Sequence, residues 1–287
     1  MNKIKYLIQF ILILLLFLIF KILGLKYSQI LSKTIFKILG PYFRNNEISD
    51  NNLKKAFVNS NKNERAEIIK NMWSNYGLIF SEYLFIKDFR NNPKLSNKIH
   101  IENKDELEKI KKNSRPVIFI SGHFSNFELM AMSIEKSGID LAALYRPLNN
   151  KFLNPIMEKI RRKYICRKQI KKGISGTKEI LREFKNGSSI ALMIDQRVSE
   201  GKRCNFFNEK AFTTTIPAQF VKKFKTKIVP IYIERTKDEN FKITINNPLE
   251  FKEVDSIEYI TSVLNQQLEK MIMKNPSQWI WTHDRWK

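Results

Sequence analysis

Cysteine and histidine are the scarcest reactive residues in this sequence. Its 287 residues include two cysteines, Cys166 and Cys204, and three histidines. The cysteines are too far apart for a metal or redox motif, and a structural zinc site needs four closely spaced ligands. The composition argues against a disulfide framework and against a zinc site, and we expect both thiols to be reduced and packed in the core.

Segments that would divide the chain are also lacking. Glycine and proline number nine each, no stretch rich in glycine, proline or serine interrupts the sequence, and no internal repeat is present. A chain of this length is sufficient for one large domain. We therefore expect one folded domain over residues 26–287, preceded by a distinct N-terminal segment over residues 1–25.

Acidic residues are few relative to basic ones, with 28 Asp and Glu against 51 Lys and Arg and a net charge of +23. Such a surplus attracts nucleic acid, an anionic membrane, acidic proteins or phosphorylated lipids. Residues 161–172 contain seven basic side chains. This basic cluster predicts either a surface for an acidic carrier protein or lipid phosphates, or an ordinary solvated face.

One long hydrophobic run stands at the N-terminus. Residues 6–20 contain no charge and one amide, Gln9, and the apolar character continues past Lys21 to Leu25. About twenty helical residues reach across a hydrocarbon core of ~30 Å if Lys21 extends to its surface. A helix lying in the membrane interface is the alternative. Both alternatives make residues 1–25 an N-terminal membrane-anchor helix.

The segment after this run is basic and amphipathic. Residues 27–43 are typical of a helix that rests on an anionic bilayer surface, although a helix packed on a core has the same pattern. Four basic residues between positions 26 and 44 follow the run. Because positive charge is retained in the cytoplasm, we expect the large domain on the cytoplasmic side.

From residue 116 onward, apolar runs of strand length alternate with segments of helical periodicity. This order predicts an α/β fold, namely a mixed, largely parallel sheet flanked by helices on both faces. The predicted strands cover residues 117–120, 138–145, 189–194, 227–233 and 241–245.

Polar residues follow three of the predicted strands. His123 follows the first, Arg146 the second, and Asp195 and Arg197 the third. The carboxyl ends of parallel strands meet at one edge of a sheet, where open α/β folds place their ligands. The sequence therefore predicts that a base, cations and a carboxylate converge there.

Glu128 is the first candidate partner for His123. A spacing of five residues on one helix would turn the two side chains about 140° apart. They meet only if His123 lies in a loop and Glu128 in the first helical turn. Glu128 would then accept the imidazole N–H and leave the other nitrogen as a general base. Alternatively, Ser125 and Glu128 form a capping box, which explains the glutamate but not the histidine.

Five motifs occur in order along the chain: residues 122–128 with the histidine-x4-acid pattern, 145–150, 193–197, 206–213 and 278–286. In these motifs the sequence resembles the bacterial lipid A late acyltransferase family, the lauroyl and myristoyl transferases within the lysophospholipid acyltransferase-like superfamily. The resemblance extends over nearly the whole chain, anchor included. It departs at Asn208, where the family usually has glycine, and at Ser125, which replaces a common glycine.

This resemblance implies an O-acyltransferase that moves a fatty acyl chain from a thioester of acyl carrier protein, or of coenzyme A, to a hydroxyl of a phosphorylated glucosamine precursor of lipid A. It implies action on the cytoplasmic face of the inner membrane, with acyl carrier protein, the lipid acceptor and the anionic membrane as partners. Nucleic acid is not expected as a partner, and neither a metal nor any other cofactor is expected.

The resemblance also implies roles for individual residues. His123 is the general base with Glu128, and transfer is direct, without an acyl-enzyme. Arg146 stabilises the oxyanion or an acceptor phosphate, and Asp195 orients Arg146 or Arg197. Apart from the resemblance, we expect His283 and Arg285 in the aromatic tail to be hydrogen-bonding residues near the rim of the site, and the alternative for His283 is a second catalytic histidine. The expected substrate-binding residues are Asn126, Asn149, Gln196 and Arg197.

Two alternatives remain at this stage. The acceptor is another lipid, such as a phosphatidylinositol mannoside or a lysophospholipid, because acceptor choice depends on loops that the sequence does not describe. Otherwise the chain is a basic, membrane-tethered polyanion-binding module with a purely structural histidine loop. Binding by such a module would weaken steeply with salt and would not depend on His123.

Overall fold

The computed structural model describes residues 2–287, so residue 1 of the predicted anchor lies outside the described part. Nine strands form a seven-stranded sheet and a separate hairpin. In chain order the strands are β1 (Ile99–Glu102), β2 (Ile118–Ser121), β3 (Leu141–Tyr145), β4 (Lys168–Lys171), β5 (Ser189–Met193), β6 (Lys202–Phe206), β7 (Glu209–Thr213), β8 (Ile228–Arg235) and β9 (Phe241–Ile245).

The main sheet has the strand order β1-β9-β8-β2-β5-β3-β4. All neighbouring pairs in it are parallel except β8 with β9. Every residue of the central strand β2 is buried, as expected where helices cover both faces of a parallel strand. The predicted mixed, largely parallel sheet flanked by helices is confirmed.

Eleven α-helices surround these strands in residues 2–287. They are α1 (Asn2–Phe43), α2 (Asn46–Ala56), α3 (Lys62–Glu82), α4 (Ile86–Asn91), α5 (Pro93–Ser96), α6 (Lys104–Asn113), α7 (Glu128–Lys136), α8 (Leu153–Tyr164), α9 (Ile174–Lys185), α10 (Ile216–Phe224) and α11 (Ile257–Lys274).

Sequence analysis missed β4 and the hairpin of β6 and β7. The edge strand β4 begins and ends with lysine, and only its two central residues are buried. Charged, short edge strands resist pairing with other chains, and the same charge hides the apolar signal of a strand. The hairpin strands also carry exposed charged residues beside their buried ones.

Helix α1 is interrupted at Gly24. This residue has φ 71° and ψ 172°, a conformation that side-chain-bearing residues rarely adopt. The interruption falls beside the predicted boundary between residues 1–25 and 26–287. Residues on both sides of it pack on α3, since Phe17, Phe20 and Phe36 all contact the ring of Phe80.

A buried charge network ties α1 and α3 to the sheet. The carboxylate of Glu82, at the end of α3, is fully buried and lies 2.7 Å from the guanidinium of Arg235 on β8. It also accepts hydrogen bonds from the amides of Gln29 and Asn126, at 2.7 and 3.0 Å. Four elements of the chain are therefore joined at one carboxylate.

Replacing Glu82 by glutamine should destabilise the fold, because it leaves Arg235 buried without a counter-charge. We expect the free energy of unfolding to fall by about 3–5 kcal/mol. Denaturant titration in detergent, followed by circular dichroism, measures this change. Glu209→Gln is the matched control, since Glu209 pairs with Lys55 at the surface and its loss should cost under about 1 kcal/mol. Equal midpoints for the two variants would contradict the prediction.

Candidate active site

Strand register determines which residues meet at the carboxyl edge of the sheet. In the parallel pair β2 and β5, Ser121 lies opposite Met193. His123 and Asp195 lie two residues beyond the ends of these two strands. The backbone N–H of Ile194 still donates to the carbonyl of Ser121 at 2.9 Å, so the two chains remain side by side past the strand ends.

Asp195 is fully buried and binds His123 twice. One carboxylate oxygen lies 2.8 Å from Nδ1 of the imidazole, and the other accepts the backbone N–H of His123 at 2.8 Å. The second oxygen also accepts the indole N–H of Trp279 at 2.9 Å. Because a carboxylate only accepts hydrogen bonds, Nδ1 carries the proton and Nε2 keeps its lone pair.

Within the described residues, Nε2 of His123 is the unbonded nitrogen of a partly exposed imidazole. The side chain is 22% exposed, and no residue within 2–287 hydrogen-bonds to this nitrogen. The ring of Phe127 packs edge-on against the imidazole, with 4.8 Å between centroids. The imidazole is therefore held in one orientation and one tautomer, with its basic nitrogen accessible.

The electrostatics of the pair favour a charged carboxylate and a basic imidazole. Burial lowers the pKa of His123, but the charge and hydrogen bond of Asp195 outweigh burial, so the pKa lies above its ordinary value. Burial raises the pKa of Asp195, but the charge of His123 and the hydrogen bonds from His123 and Trp279 outweigh burial. The pKa of Asp195 therefore lies below its ordinary value. Asp195 is thus ionised at neutral pH and stabilises a proton taken up by His123.

The expectation that Glu128 accepts the imidazole N–H is wrong. Its carboxylate accepts two hydrogen bonds from Arg161 of α8, at 2.8 Å from Nε and 2.6 Å from Nη2. Glu128 begins α7 and faces α8, whereas strand register has already brought Asp195 beside His123. The capping-box alternative is also wrong, because within residues 2–287 no side chain caps the start of α7 and the hydroxyl of Ser125 has no hydrogen-bond partner.

Arg161 is a site residue that sequence analysis did not single out. Burial lowers the pKa of its guanidinium, but the charge of Glu128 outweighs burial and the pKa is raised. A permanent cation therefore lies beside the site, 5.5 Å from the ring centroid of Tyr145. Its charge lowers the pKa of the His123 imidazole, although less strongly than Asp195 raises it. No local pattern distinguishes Arg161 from the other six members of the basic cluster.

The expectation that Asp195 orients Arg146 or Arg197 is also wrong, because its carboxylate is taken up by His123 and Trp279. Arg146 follows β3 at the same edge of the sheet and is exposed. It makes no ion pair or hydrogen bond in the part of the chain that the structure describes. Asn149 is likewise exposed and Gln196 half-buried.

Two other predicted residues form hydrogen bonds within the fold. Asn126 is fully buried, with its amide on Glu82, so this side chain has no surface to offer a substrate. The backbone N–H of Arg197 donates to Nε2 of His283 at 2.9 Å, and its guanidinium donates to the carbonyl of Lys287. Burial lowers the pKa of His283, which favours the neutral, accepting imidazole.

The sequence was compared with known protein families. The model of the family described as "Bacterial lipid A biosynthesis acyltransferase" matches residues 1–287. The chain belongs to this family. It is similar to "Lipid A biosynthesis acyltransferase 2" of Shigella flexneri, with 22% identity over 237 residues, which cover 80% of this chain and 74% of that protein. Membership supports acyl transfer in lipid A biosynthesis as the activity.

The basic cluster of this acyltransferase is partly neutralised by acidic residues. Four of its seven members form ion pairs: Arg161 with Glu128, Arg167 with Glu135, Lys168 with Asp140 and Glu183, and Lys171 with Glu158. These pairs connect α8 and β4 to their neighbours. Part of the cluster is therefore engaged within the fold, whereas Arg162, Lys163 and Lys172 are exposed and form no ion pair in the described residues.

Replacing Glu128 by glutamine should release Arg161 from its fixed position in the acyltransferase. We expect turnover to fall by up to about a hundredfold, since small misplacements of a charged group near the reaction have effects of this size. The acid limb of the pH–rate profile should move little, because Asp195 still controls His123. Steady-state kinetics across pH measure both quantities.

Glu135→Gln is the matched control for this change. Glu135 lies on the same helix α7 and also pairs with an arginine, Arg90, but away from His123. We expect its turnover to match that of the unmodified protein. A Glu128→Gln variant as active as the Glu135→Gln variant would show that Arg161 does not contribute to the reaction.

Proposed function

We propose that this acyltransferase moves a fatty acyl chain from acyl carrier protein, or from coenzyme A, to a hydroxyl of a phosphorylated glucosamine precursor of lipid A. The reaction takes place on the cytoplasmic face of the inner membrane. The single observation that carries the proposal is the His123–Asp195 pair with Nε2 accessible, in a chain that belongs to this family.

In the proposed reaction, Nε2 of His123 removes the proton of the acceptor hydroxyl while its oxygen attacks the thioester carbonyl. The new C–O bond forms, and the C–S bond breaks when the tetrahedral intermediate collapses. The departing thiolate takes the proton back from the imidazolium. Asp195 stabilises the imidazolium during this interval, as carboxylates do in other acyl-transfer sites.

Neither cysteine is suited to form an acyl-enzyme, which supports direct transfer of the acyl chain. Cys166 and Cys204 are 1% and 5% exposed. Burial raises the pKa of the Cys166 thiol to about 12, which suppresses the nucleophilic thiolate. The proposal calls for no metal or organic cofactor besides the thioester donor.

Two arginines near the carboxyl edge suit two different anions. Arg161, held by Glu128, is the pre-positioned cation that best matches the oxyanion of the intermediate. Arg146, exposed and without an ion pair in residues 2–287, is better suited to a phosphate of the acceptor. Asn149, Gln196 and Arg197 remain proposed substrate-binding residues at this rim.

Product analysis tests the proposed function. Purified protein in detergent is incubated with acyl carrier proteins and coenzyme A bearing defined chains, together with lipid A precursors, and mass spectrometry identifies the products. We expect one added acyl ester on the precursor and one free thiol per turnover. His123→Ala protein, purified identically, controls for host transferases. A lysophospholipid or mannoside acylated in preference to the precursor would replace the proposed acceptor.

A further inference from the structure

The first part of α1, before the interruption at Gly24, packs along the folded domain with one of its faces. In residues 6–20 the partly or fully buried side chains recur every three or four positions, which is one stripe of a helix. All other positions in this range are exposed. The stripe consists of Tyr6, Phe10, Ile13, Leu16, Phe17 and Phe20.

The stripe touches the domain at both of its ends. Near its start, the amide of Asn150 donates to the carbonyl of Tyr6 at 2.9 Å, and Phe152 packs on Phe10 with 5.8 Å between centroids. Near its end, Phe17 and Phe20 pack on α3. Fourteen residues separate the two ends, which is about 21 Å of helix at 1.5 Å per residue.

The half of this helix that faces away from the domain is uniformly apolar. Ten large aliphatic side chains between Ile4 and Ile22 are exposed there. Successive residues of an α-helix are rotated by about 100° around its axis. On this basis four polar residues lie within about 90° of the centre of the stripe, in the half that faces the domain: Lys3, Lys5, Gln9 and Lys21. The few polar residues therefore lie toward the half on which the domain packs, and all four remain exposed beside the stripe.

We infer that the first part of α1 does not cross the bilayer but lies in the plane of one leaflet. Its apolar half enters the acyl chains, and the domain covers the other half. Asn150 binds the start of this helix and α3 binds its end. If the helix stood upright in the bilayer, the loop at Asn150 would lie about 21 Å deeper along the bilayer normal than the contact with α3. That depth would place the exposed charge of Lys151 in the hydrocarbon, where charged side chains are unfavourable.

The second part of α1 continues this membrane surface. Tyr27, Ile30, Ile38, Leu39, Tyr42 and Phe43 are exposed along it. Lys26, Lys33 and Lys37 are also exposed and form no ion pair in the described part of the chain, so they are available to anionic headgroups. The partner of this surface is one leaflet of an anionic bilayer. One consequence rests on the proposed function: the loop at Asn150 holds the carboxyl edge of the sheet against the leaflet that contains the lipid acceptor.

Labelling from each side of sealed membranes tests the inference without needing turnover. Single cysteines are introduced by Lys5→Cys or Val254→Cys in a Cys166→Ser, Cys204→Ser background. We expect a membrane-impermeant maleimide to label both positions from the same side. Labelling of the two positions from opposite sides would overturn the inference. Lys3→Cys replaces Lys5→Cys if that variant misfolds.

Depth measurements provide a second, independent test. Ile8, Leu12, Leu15 and Ile19 all lie on the apolar half and are exposed. Nitroxides attached at these four positions, in full-length protein in anionic vesicles, should report nearly equal depths. A depth that is greatest near Leu12 and Leu15 and smaller at both ends would identify a spanning helix. Neither test depends on acyl transfer, so a failure of the proposed reaction remains separate from a failure of this topology.

Discussion

Replacing His123 by alanine should abolish acyl transfer while leaving the fold and membrane association intact. The variant loses the group that removes the acceptor proton, and general-base catalysis of this kind contributes about 10²- to 10⁴-fold. His123 lies in a loop and is partly exposed. Asp195 keeps its hydrogen bonds from the backbone of residue 123 and from Trp279, so the site should retain its shape.

Single-turnover kinetics with the best donor and acceptor measure this loss, and circular dichroism with membrane sedimentation checks the fold and the association. His100→Ala is the matched control, since this third histidine is exposed on β1 and takes no part in the site. We expect it to leave turnover unchanged. Turnover by the His123→Ala variant within tenfold of the unmodified protein would exclude His123 as the base.

Replacing Asp195 by asparagine should lower turnover by a similar amount and also change its pH dependence. An amide neither fixes the imidazole tautomer nor stabilises the imidazolium, and in another acyl-transfer site this change costs about 10⁴-fold. His123 acts only when unprotonated, so activity increases with pH through its pKa. Asp195 raises that pKa, and its loss should therefore move the acid limb of the profile to lower pH.

The pH–rate profiles of the Asp195→Asn and Glu128→Gln variants distinguish the two carboxylates. The charge of Asp195 acts on His123 more strongly than that of Glu128. We therefore expect a clear shift of the acid limb for Asp195→Asn and a small one for Glu128→Gln. A larger shift for Glu128→Gln would mean that Glu128, and not Asp195, is the working partner of the imidazole.

Local patterns in the chain were sufficient for much of the fold. Apolar runs of strand length identified β2, β3, β5 and β8, because strands covered by helices on both faces are largely apolar, and the alternating pattern of residues 241–245 identified β9. The position of His123 and Asp195 after such runs predicted that both lie at one edge of the sheet. The uncharged run before Lys21 predicted the apolar N-terminal helix.

The partner of the histidine was decided by tertiary structure. Glu128 is five residues from His123 and Asp195 is 72 residues away, so proximity in sequence favoured the wrong carboxylate. The alignment of Ser121 with Met193 determines the true pair. Register between distant strands depends on how whole elements pack, and short-range periodicity does not encode it.

The face of the N-terminal helix that packs on the domain was decided in the same way. A run composed almost wholly of leucine, isoleucine and phenylalanine suits the bilayer core, so its sequence predicted a membrane anchor and left an interfacial helix as the alternative to a spanning one. Contacts from Asn150 and Phe80 select the face that packs on the domain. Sequence by itself determined the kinds of element and the edge where the reactive groups gather. Tertiary packing chose their partners, since those choices depend on surfaces contributed by distant parts of the chain.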